Sequence, residues 1–270
     1  MINSWVIWYY ILHKKGNNLW LRNDIAVVRH DILDKSTLQL AVLYYPLDSS
    51  SIFCHRTLTI FYLDICNNIL CDIICTDNPK SEAEDDIVFQ LAALRLQIEY
   101  GDWNKKTFAS EADYLCQFRD LMPERFYVTY AKGWKDRILM YHKQNFRLDR
   151  ETAISKYLKE AQKLPMYGIS YFHVRRRWSK GNKVPHFLGL HAAGINIYSL
   201  ADRRNPILIL SWSDILAVSI KTTTKLKNHF IVDTLREKMI FVAANRELCE
   251  MMEMLCEGNK RLNPSWFNGR

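Results

Sequence analysis

The spacing of apolar residues predicts that the chain changes from helix to strand near residue 165. Before this point apolar residues recur at helical spacing, at Ala153, Ile154, Tyr157, Leu158, Ala161 and Leu164. Pro165 ends this pattern, because proline lacks the N–H that continues a helical hydrogen-bond ladder. An alternating strand pattern starts immediately afterwards. We therefore predict a helical lobe followed by a β lobe.

The region before the proline, residues 52–164, shows helical periodicity. It predicts helices at 58–73, 85–100, 134–146 and 149–164, with Gly101 ending the second and Asp149 capping the last. The stretch 57–75 has the length of a membrane span, but four polar residues within it would be costly in lipid. We expect an amphipathic core helix in a soluble chain.

Short strand patterns flank the helical region. Before it they cover 5–12, 19–21 and 38–44, with a turn at 14–17. After it they cover 167–177, 187–191, 194–198, 207–211, 215–220, 230–233 and 239–243. One helix follows at 246–256, with Asn245 as its cap. Seven short strands and a terminal helix are typical of a PH/PTB-like sandwich.

Several of these segments resemble the FERM signature of the ezrin, radixin, moesin, merlin and band 4.1 superfamily. The similar runs are Ala153–Phe172, Leu91–Trp103, Leu121–Arg125, Trp212–Ile215 and Leu255–Asn259. The resemblance implies an α+β fold of three lobes with a tail at 263–270. These are a partial ubiquitin-like first lobe (1–47), an all-α acyl-CoA-binding-protein-like bundle (48–164) and a PH/PTB-like sandwich with a C-terminal helix (165–262). The early half of the first lobe has no counterpart, which indicates either a fragment or a lobe with an exposed sheet edge.

Positive charge is concentrated after the proline. Residues 1–164 hold 21 Lys and Arg against 21 Asp and Glu, whereas residues 165–270 hold 16 against 8. This asymmetry indicates a polyanionic partner. The densest group surrounds Trp178 and comprises Arg175, Arg176, Arg177, Lys180 and Lys183. Cations beside an aromatic ring suit anionic lipid headgroups, and strand alternation would send Arg176 to the opposite face from its neighbours. A merely solvated turn is the alternative.

The resemblance implies a second lipid site, in a cleft between the first and third lobes. Its predicted cations are Lys14, Lys15, Arg22, Arg236 and Lys238. The lysine pair expected just beyond Arg22 is replaced by Asp24 and Ile25.

The third lobe also resembles a peptide-binding module, in which a strand edge beside a helix accepts an extended peptide. Ile215, Val218 and Ile220 match the apolar positions of the strand, while Glu253 and Glu257 replace apolar positions of the helix. Two carboxylates would favour a basic tail. In the alternative, the helix is rotated so that Met251, Met254 and Leu255 pack inward and nothing binds.

Motifs for catalysis are not found. The sequence has no phosphate-binding glycine loop, nucleophile elbow or zinc-protease motif. Its seven cysteines are unevenly spread and follow no signal peptide, which favours reduced thiols. Cys71 and Cys75 are expected to be buried and structural rather than metal ligands. We predict a protein that is not an enzyme and needs no cofactor or metal.

By resemblance, the expected function is that of a cytoplasmic adaptor, peripheral at the plasma membrane and cell cortex. The expected partners are an anionic membrane lipid (phosphoinositide), cytoplasmic tails of membrane proteins, and cytoskeletal or junctional proteins. Nucleic acid is not expected. One alternative is a regulatory FERM segment of a larger enzyme, such as a FERM-containing tyrosine phosphatase. Another is a product that cannot fold its first lobe.

Overall fold

The computed structural model describes residues 10–14, 19–20, 38–52, 54–71, 82–104, 120–130, 133–178, 182–222 and 228–262. Its contacts divide the chain into two compact units. The helical unit comprises residues 48–167, and the β unit comprises residues 1–47 together with residues 168–270. The β unit is therefore discontinuous in sequence.

The helical unit begins with a short 3-10 helix, Ser49–Ser51. Its described α-helices are α1 His55–Leu70, α2 Glu82–Tyr100, α3 Glu124–Thr129, α4 Trp134–Gln144 and α5 Arg150–Ala161. Helix α2 packs against α4 and α5, and α1 packs against α5. Fully buried apolar side chains fill the space between them, among them Phe61, Ile65, Phe89, Leu94, Leu96 and Leu158. None of the described helices is long and apolar enough to cross a membrane.

Local signals at the helix ends act as predicted. The Asp149 side chain accepts hydrogen bonds from the backbone N–H groups of Glu151 and Thr152, which satisfies two donors that the helix leaves unpaired. Gly101 has φ +75° and donates its N–H to the carbonyl of Gln97. This left-handed conformation suits glycine and ends α2.

The described strands of the β unit form two antiparallel sheets. One has the order β2-β1-β3, formed by β1 Tyr10–Lys14, β2 Leu19–Trp20 and β3 Leu38–Val42. The other has the order β7-β6-β5-β4-β10-β9-β8. Its strands are β4 Ser170–Arg177, β5 Lys183–His191, β6 Gly194–Tyr198, β7 Leu208–Ser211, β8 Ile215–Thr222, β9 Asn228–Thr234 and β10 Lys238–Ala243. Helix α6, Arg246–Leu262, follows.

The core of the β unit lies between the seven-stranded sheet and α6. The helix contributes a buried stripe that includes Cys249, Met252, Leu255 and Cys256. The strands contribute side chains such as Val174, Leu188, Ile195, Phe230 and Phe241. Leu43 and Tyr44, just after β3, belong to the same core. The expected α+β architecture, with a closing helix on a sheet of seven strands, is confirmed.

Several boundaries differ from the predictions, and three of them bear on the sites. Helix α6 extends to Leu262, six residues beyond its predicted end, and includes Gly258. Strand β4 starts at Ser170 rather than at 167, because a turn intervenes in which Tyr167 donates its N–H to the carbonyl of Leu164. Lys14 is the last residue of β1 rather than part of a turn.

The burial of one cysteine differs from the prediction. Cys71 is the C-cap of α1 and is exposed, so the prediction of a buried thiol was wrong at this position. The helix ends one residue earlier, and its buried positions finish with Ile69. Cys75 lies outside the described residues.

Candidate functional site

The β4–β5 hairpin presents cations on one face. Along β4, Phe172 and Val174 are buried whereas Arg175 and Arg177 are exposed, as the predicted alternation requires. Arg177 pairs with Lys183 of β5, which is exposed too. Because paired residues point to the same side of a sheet, these three side chains share one face.

Arg176 points to the opposite face and makes internal contacts. Only 8% of its surface is exposed. Its Nη2 atom lies 2.8 Å from Oε1 of Glu237, and its guanidinium lies 4.0 Å from the ring centroid of Trp178. The sequence grouped Arg176 with its two neighbours as lipid-binding. Its side chain is instead held between a carboxylate and an indole, and any contact with lipid stays a prediction.

The turn between β9 and β10 brings two more cations to the same end of the sheet. Ile240 of β10 pairs with Arg177, so the residues just before it lie beside the hairpin. Arg236 is exposed in this turn, and the Nζ atom of Lys238 lies 3.0 Å from Oδ2 of Asp233. Two residues of the second predicted lipid site thus lie at the same end of the sheet as the hairpin cations. We call this set the basic end: Arg175, Arg177, Lys183, Arg236 and Lys238.

The remaining predicted lipid-binding residues are only partly covered by the structure. Lys14 ends β1, where its backbone pairs with Leu19 and Leu38. Its side chain, and the whole of Lys15, Arg22 and Lys180, lie outside the described residues. The predicted cleft between the first and third lobes therefore stays a prediction.

Strand β8 offers the edge expected of a peptide-binding surface, because it ends the strand order of the described sheet. A bulge between Ile215 and Ala217 interrupts its pairing with β9. Ile215 is buried in the core, while Val218 and Ile220 are partly buried and pack against it. Leu216 is 60% exposed at the bulge. The apolar strand positions named from sequence therefore point towards the core, and two of them remain partly accessible.

The predicted acidic positions lie on the accessible part of α6. Glu253 is partly buried and Glu257 is exposed. Burial raises the pKa of Glu253, and the neighbouring carboxylates of Glu257 and Glu250 raise it further. The strand edge of β8 and these two carboxylates together are called the β8–α6 surface.

The rotation of α6 agrees in part with the alternative that the sequence left open. Leu255 packs inward, and Met251 and Met254 are partly buried and pack against the core. The fully buried methionine is Met252.

Sequence reasoning missed a contact between the end of β3 and α6. The hydroxyl of Tyr44 donates a hydrogen bond to the carbonyl oxygen of Met254 at 3.1 Å. A Cβ atom placed on Gly258 would lie 2.2 Å from Cζ of the Tyr44 ring. Burial raises the pKa of Tyr44 to about 12. No local signal relates these residues, because they are more than 200 positions apart.

Metal chemistry finds no support in the described residues, where no group of three His, Cys, Asp or Glu side chains could hold an ion. The surfaces that the β unit offers are a cationic sheet end and a strand edge beside an acidic helix. Both suit binding. The helical unit and the β unit with its two sheets define a multi-lobed α+β binding module.

Comparison with known proteins identifies the module. Residues 48–172 match the family model of the FERM central domain. The crystal structure of the FERM and C-terminal domain complex of Drosophila Merlin matches the chain with a TM-score of 0.75 at 22% sequence identity. That match covers 95% of this chain and 84% of the Merlin chain. Residues 48–172 therefore carry a FERM central domain, and the fold of the chain is similar to that of the Merlin FERM module.

Proposed function

We propose that this FERM-domain protein is a peripheral adaptor of the plasma membrane and cell cortex that acts without catalysis. Its basic end binds an anionic lipid headgroup, with a phosphoinositide as the expected lipid. Its β8–α6 surface holds the cytoplasmic tail of a membrane protein, and cytoskeletal or junctional proteins complete the link. The observation that carries the proposal is the grouping of exposed cations at one end of the sheet.

The geometry of the basic end supports lipid binding. Successive same-face residues of a strand are about 7 Å apart, so the guanidinium groups of Arg175 and Arg177 act within one Debye length of each other. Each basic residue near an anionic membrane contributes about 1 kcal/mol. Residues 165–270 also carry the entire net charge of +8, which adds long-range attraction to an anionic surface.

The β8–α6 surface supports the binding of a peptide tail. An edge strand offers unpaired backbone groups that an extended peptide can pair with, and partly exposed Val218 and Ile220 offer apolar contact. Glu253 and Glu257 favour a tail rich in Lys and Arg. The Merlin relative was crystallised as a complex of its FERM and C-terminal domains, which is consistent with protein binding by this fold.

Vesicle sedimentation tests the lipid function. The protein is pelleted with phosphatidylcholine vesicles that contain or lack phosphatidylinositol bisphosphate. The test variant is Arg175→Ala/Arg177→Ala/Lys183→Ala. Its charge-matched control replaces three exposed cations of the helical unit: Arg56→Ala/Arg150→Ala/Lys159→Ala. Arg176 is left intact because its removal would leave Glu237 without its partner.

Three charges at about 1 kcal/mol each predict a loss of binding of about a hundredfold in the test variant. The control should bind like the parent, and parent binding should fall as salt rises. Equal pelleting of test and control variants, or no pelleting of the parent, would contradict the lipid function.

A further inference from the structure

We infer that Trp178 is a membrane anchor that enters the lipid interface at the tip of the β4–β5 hairpin, and that Arg176 and Glu237 hold its ring in place. The inference rests on the proposed lipid function and goes beyond it. It assigns the apolar contribution to membrane binding to the Trp178 side chain. It also gives Arg176 the role of a positioning residue instead of a headgroup ligand.

The first observation is the exposure of apolar side chains at the hairpin tip. Trp178 follows β4 directly, and its backbone N–H donates to the carbonyl of Asn182 at 3.0 Å. Although its ring is large and apolar, 44% of Trp178 is exposed. On the other strand, Val184 is 42% exposed and Pro185 is exposed as well. The tip therefore combines apolar side chains with the cations Arg177 and Lys183.

The second observation is the pair of contacts that hold the indole ring, from Arg176 to Trp178 and from Glu237 to Arg176. We call this pair the brace. The Arg176 guanidinium lies 4.0 Å from the ring centroid, within the range of a cation–π contact. Oε1 of Glu237 lies 2.8 Å from Nη2 of the same guanidinium. The backbone of Glu237 is itself held, since its N–H donates to Oγ1 of Thr234 and its carbonyl accepts the N–H of Thr234. An exposed ring held in this way loses little conformational freedom on binding.

The chemistry of the tip favours a bilayer as the partner. Tryptophan prefers the boundary between headgroups and acyl chains, because its ring is apolar and its N–H can still reach a polar partner. Strand residues rise about 3.3 Å each, so Arg177 and Lys183 lie beside headgroups when the indole is in the interface. Arg175 then lies about 7 Å higher, still within the Debye length. A protein partner would have to supply an apolar pocket ringed by acidic groups.

Quenching by brominated lipid tests the anchor directly. Parent and Trp178→Phe proteins are mixed with phosphatidylinositol bisphosphate vesicles whose acyl chains carry bromine near the headgroup. The chain has eight tryptophans, so the difference between the two proteins reports on Trp178. We expect Trp178→Phe to lose most of the quenching while still pelleting. The matched control is Trp134→Phe in α4 of the helical unit, which should quench like the parent.

Binding measurements test the brace. Trp178→Ala should weaken vesicle binding about fivefold, equivalent to about 1 kcal/mol. Arg176→Met, which keeps an unbranched apolar stem, should weaken it by a similar factor in the parent. It should have no further effect in the Trp178→Ala background, because the two residues act through one ring. If Arg176→Met unfolds the protein, Glu237→Gln replaces it in the same cycle.

The outcomes separate this inference from the proposed function. If parent quenching survives in Trp178→Phe while the Arg175/Arg177/Lys183 variant still loses binding, the anchor is wrong and the lipid function stands. If the Arg176 and Trp178 effects add, Arg176 touches lipid directly and the brace is wrong. If the parent does not pellet with anionic vesicles, both proposals fail. A Trp178-dependent affinity for an acidic protein without vesicle binding would also overturn the anchor.

Discussion

The ring of Tyr44 covers Gly258 near the C-terminal end of α6. The Tyr44 hydroxyl reaches past this glycine to the carbonyl oxygen of Met254, 3.1 Å away. A methyl group on residue 258 would lie 2.2 Å from the ring, far inside van der Waals contact. The need for glycine at this helical position is therefore steric. It arises from a residue more than 200 positions away.

Replacing this glycine should destabilise the protein, against the usual preference of helices. In an exposed helix Gly→Ala adds up to about 1 kcal/mol of stability. Gly258→Ala should instead cost about 1–3 kcal/mol, because the buried ring must move. Thermal unfolding followed by circular dichroism would show the lower melting temperature.

The control is the Gly258→Ala substitution in a protein that lacks the Tyr44 ring. In a Tyr44→Ala background, Gly258→Ala should raise the melting temperature rather than lower it. If Gly258→Ala is destabilising in both backgrounds, the cause is not the tyrosine ring.

The described cysteines should differ in reactivity. Cys54 is exposed at the start of α1, where backbone and side-chain groups of Thr57 and the amide of Arg56 lower its pKa. Burial raises the pKa of Cys66 to about 11. Since the thiolate is the reactive form, iodoacetamide should label Cys54 first, then exposed Cys71, and buried Cys66 after both. Peptide mass spectrometry after short exposure measures the order.

Denaturation provides the control for the labelling order. In guanidinium chloride all seven cysteines should label at similar rates, because burial and helix contacts are lost. Labelling of Cys66 before Cys54 in the native protein would contradict the assigned environments.

Acid should lower the stability of the folded protein partly through protonation of Asp102. Hydrogen bonds from the Gln97 side chain and from the N–H of Arg147 hold the pKa of Asp102 below its usual 3.8. A carboxylate with a lower pKa in the folded state stabilises above its unfolded pKa and loses that effect as the pH falls through the folded pKa. Asp102→Asn keeps an acceptor oxygen but does not titrate. Its urea midpoint should therefore fall less than that of the parent between about pH 6 and about pH 3.

A second hydrogen bond of Gln97, to Leu148, should be unaffected by pH. The Leu148 carbonyl accepts it from the same Gln97 side chain, and this bond does not titrate. Asp102→Asn should lower the midpoint near pH 6, where it lacks the charged acceptor, and the difference from the parent should shrink as the pH falls. An equal acid sensitivity of parent and variant would exclude Asp102 as a contributor.

Binding of a basic tail peptide should depend on Glu253. Its raised pKa means that it takes up a proton at a higher pH than the usual 4.5, so affinity for a Lys- and Arg-rich peptide should weaken early on acidification. Glu253→Gln should lower the affinity at neutral pH up to about fivefold, the range of an exposed ion pair. It should also reduce the pH dependence. Fluorescence anisotropy of a labelled peptide measures both.

Glu247 is the matched control, because it is exposed in the first turn of the same helix. Glu247→Gln should bind the peptide like the parent. If the two variants behave alike, the peptide responds to the overall charge of the protein and not to the β8–α6 surface.

Local chemistry made much of the fold predictable from sequence. Asp149 and Asn245 cap their helices through their own side chains, and the Asn245 oxygen accepts the N–H of Leu248 at 2.8 Å. Strand β6, Gly194–Tyr198, has its predicted bounds. These features depend on residues a few positions apart, which a sequence pattern displays directly.

The candidate sites were less predictable, because they depend on pairing between distant strands. The sequence assigned Arg175 and Arg236 to different lipid sites. The pairing of β4 with β10 brings their segments together, and nothing local indicates that these two strands are neighbours. The same pairing places Glu237 beside Arg176, 61 positions away, and so gives that arginine an internal partner. The end of α6 was predicted at residue 256, whereas the helix continues through Gly258 to Leu262.

The hydrogen bond from Tyr44 to α6 can form only late in synthesis. Its two residues are 210 positions apart. At about 5–20 residues per second, a ribosome makes the second about 10–40 s after the first. During this interval Leu43 and Tyr44 lack the α6 residues of their core. The helical unit between the two segments is synthesised first. We expect this short apolar segment to be where a chaperone holds the nascent chain.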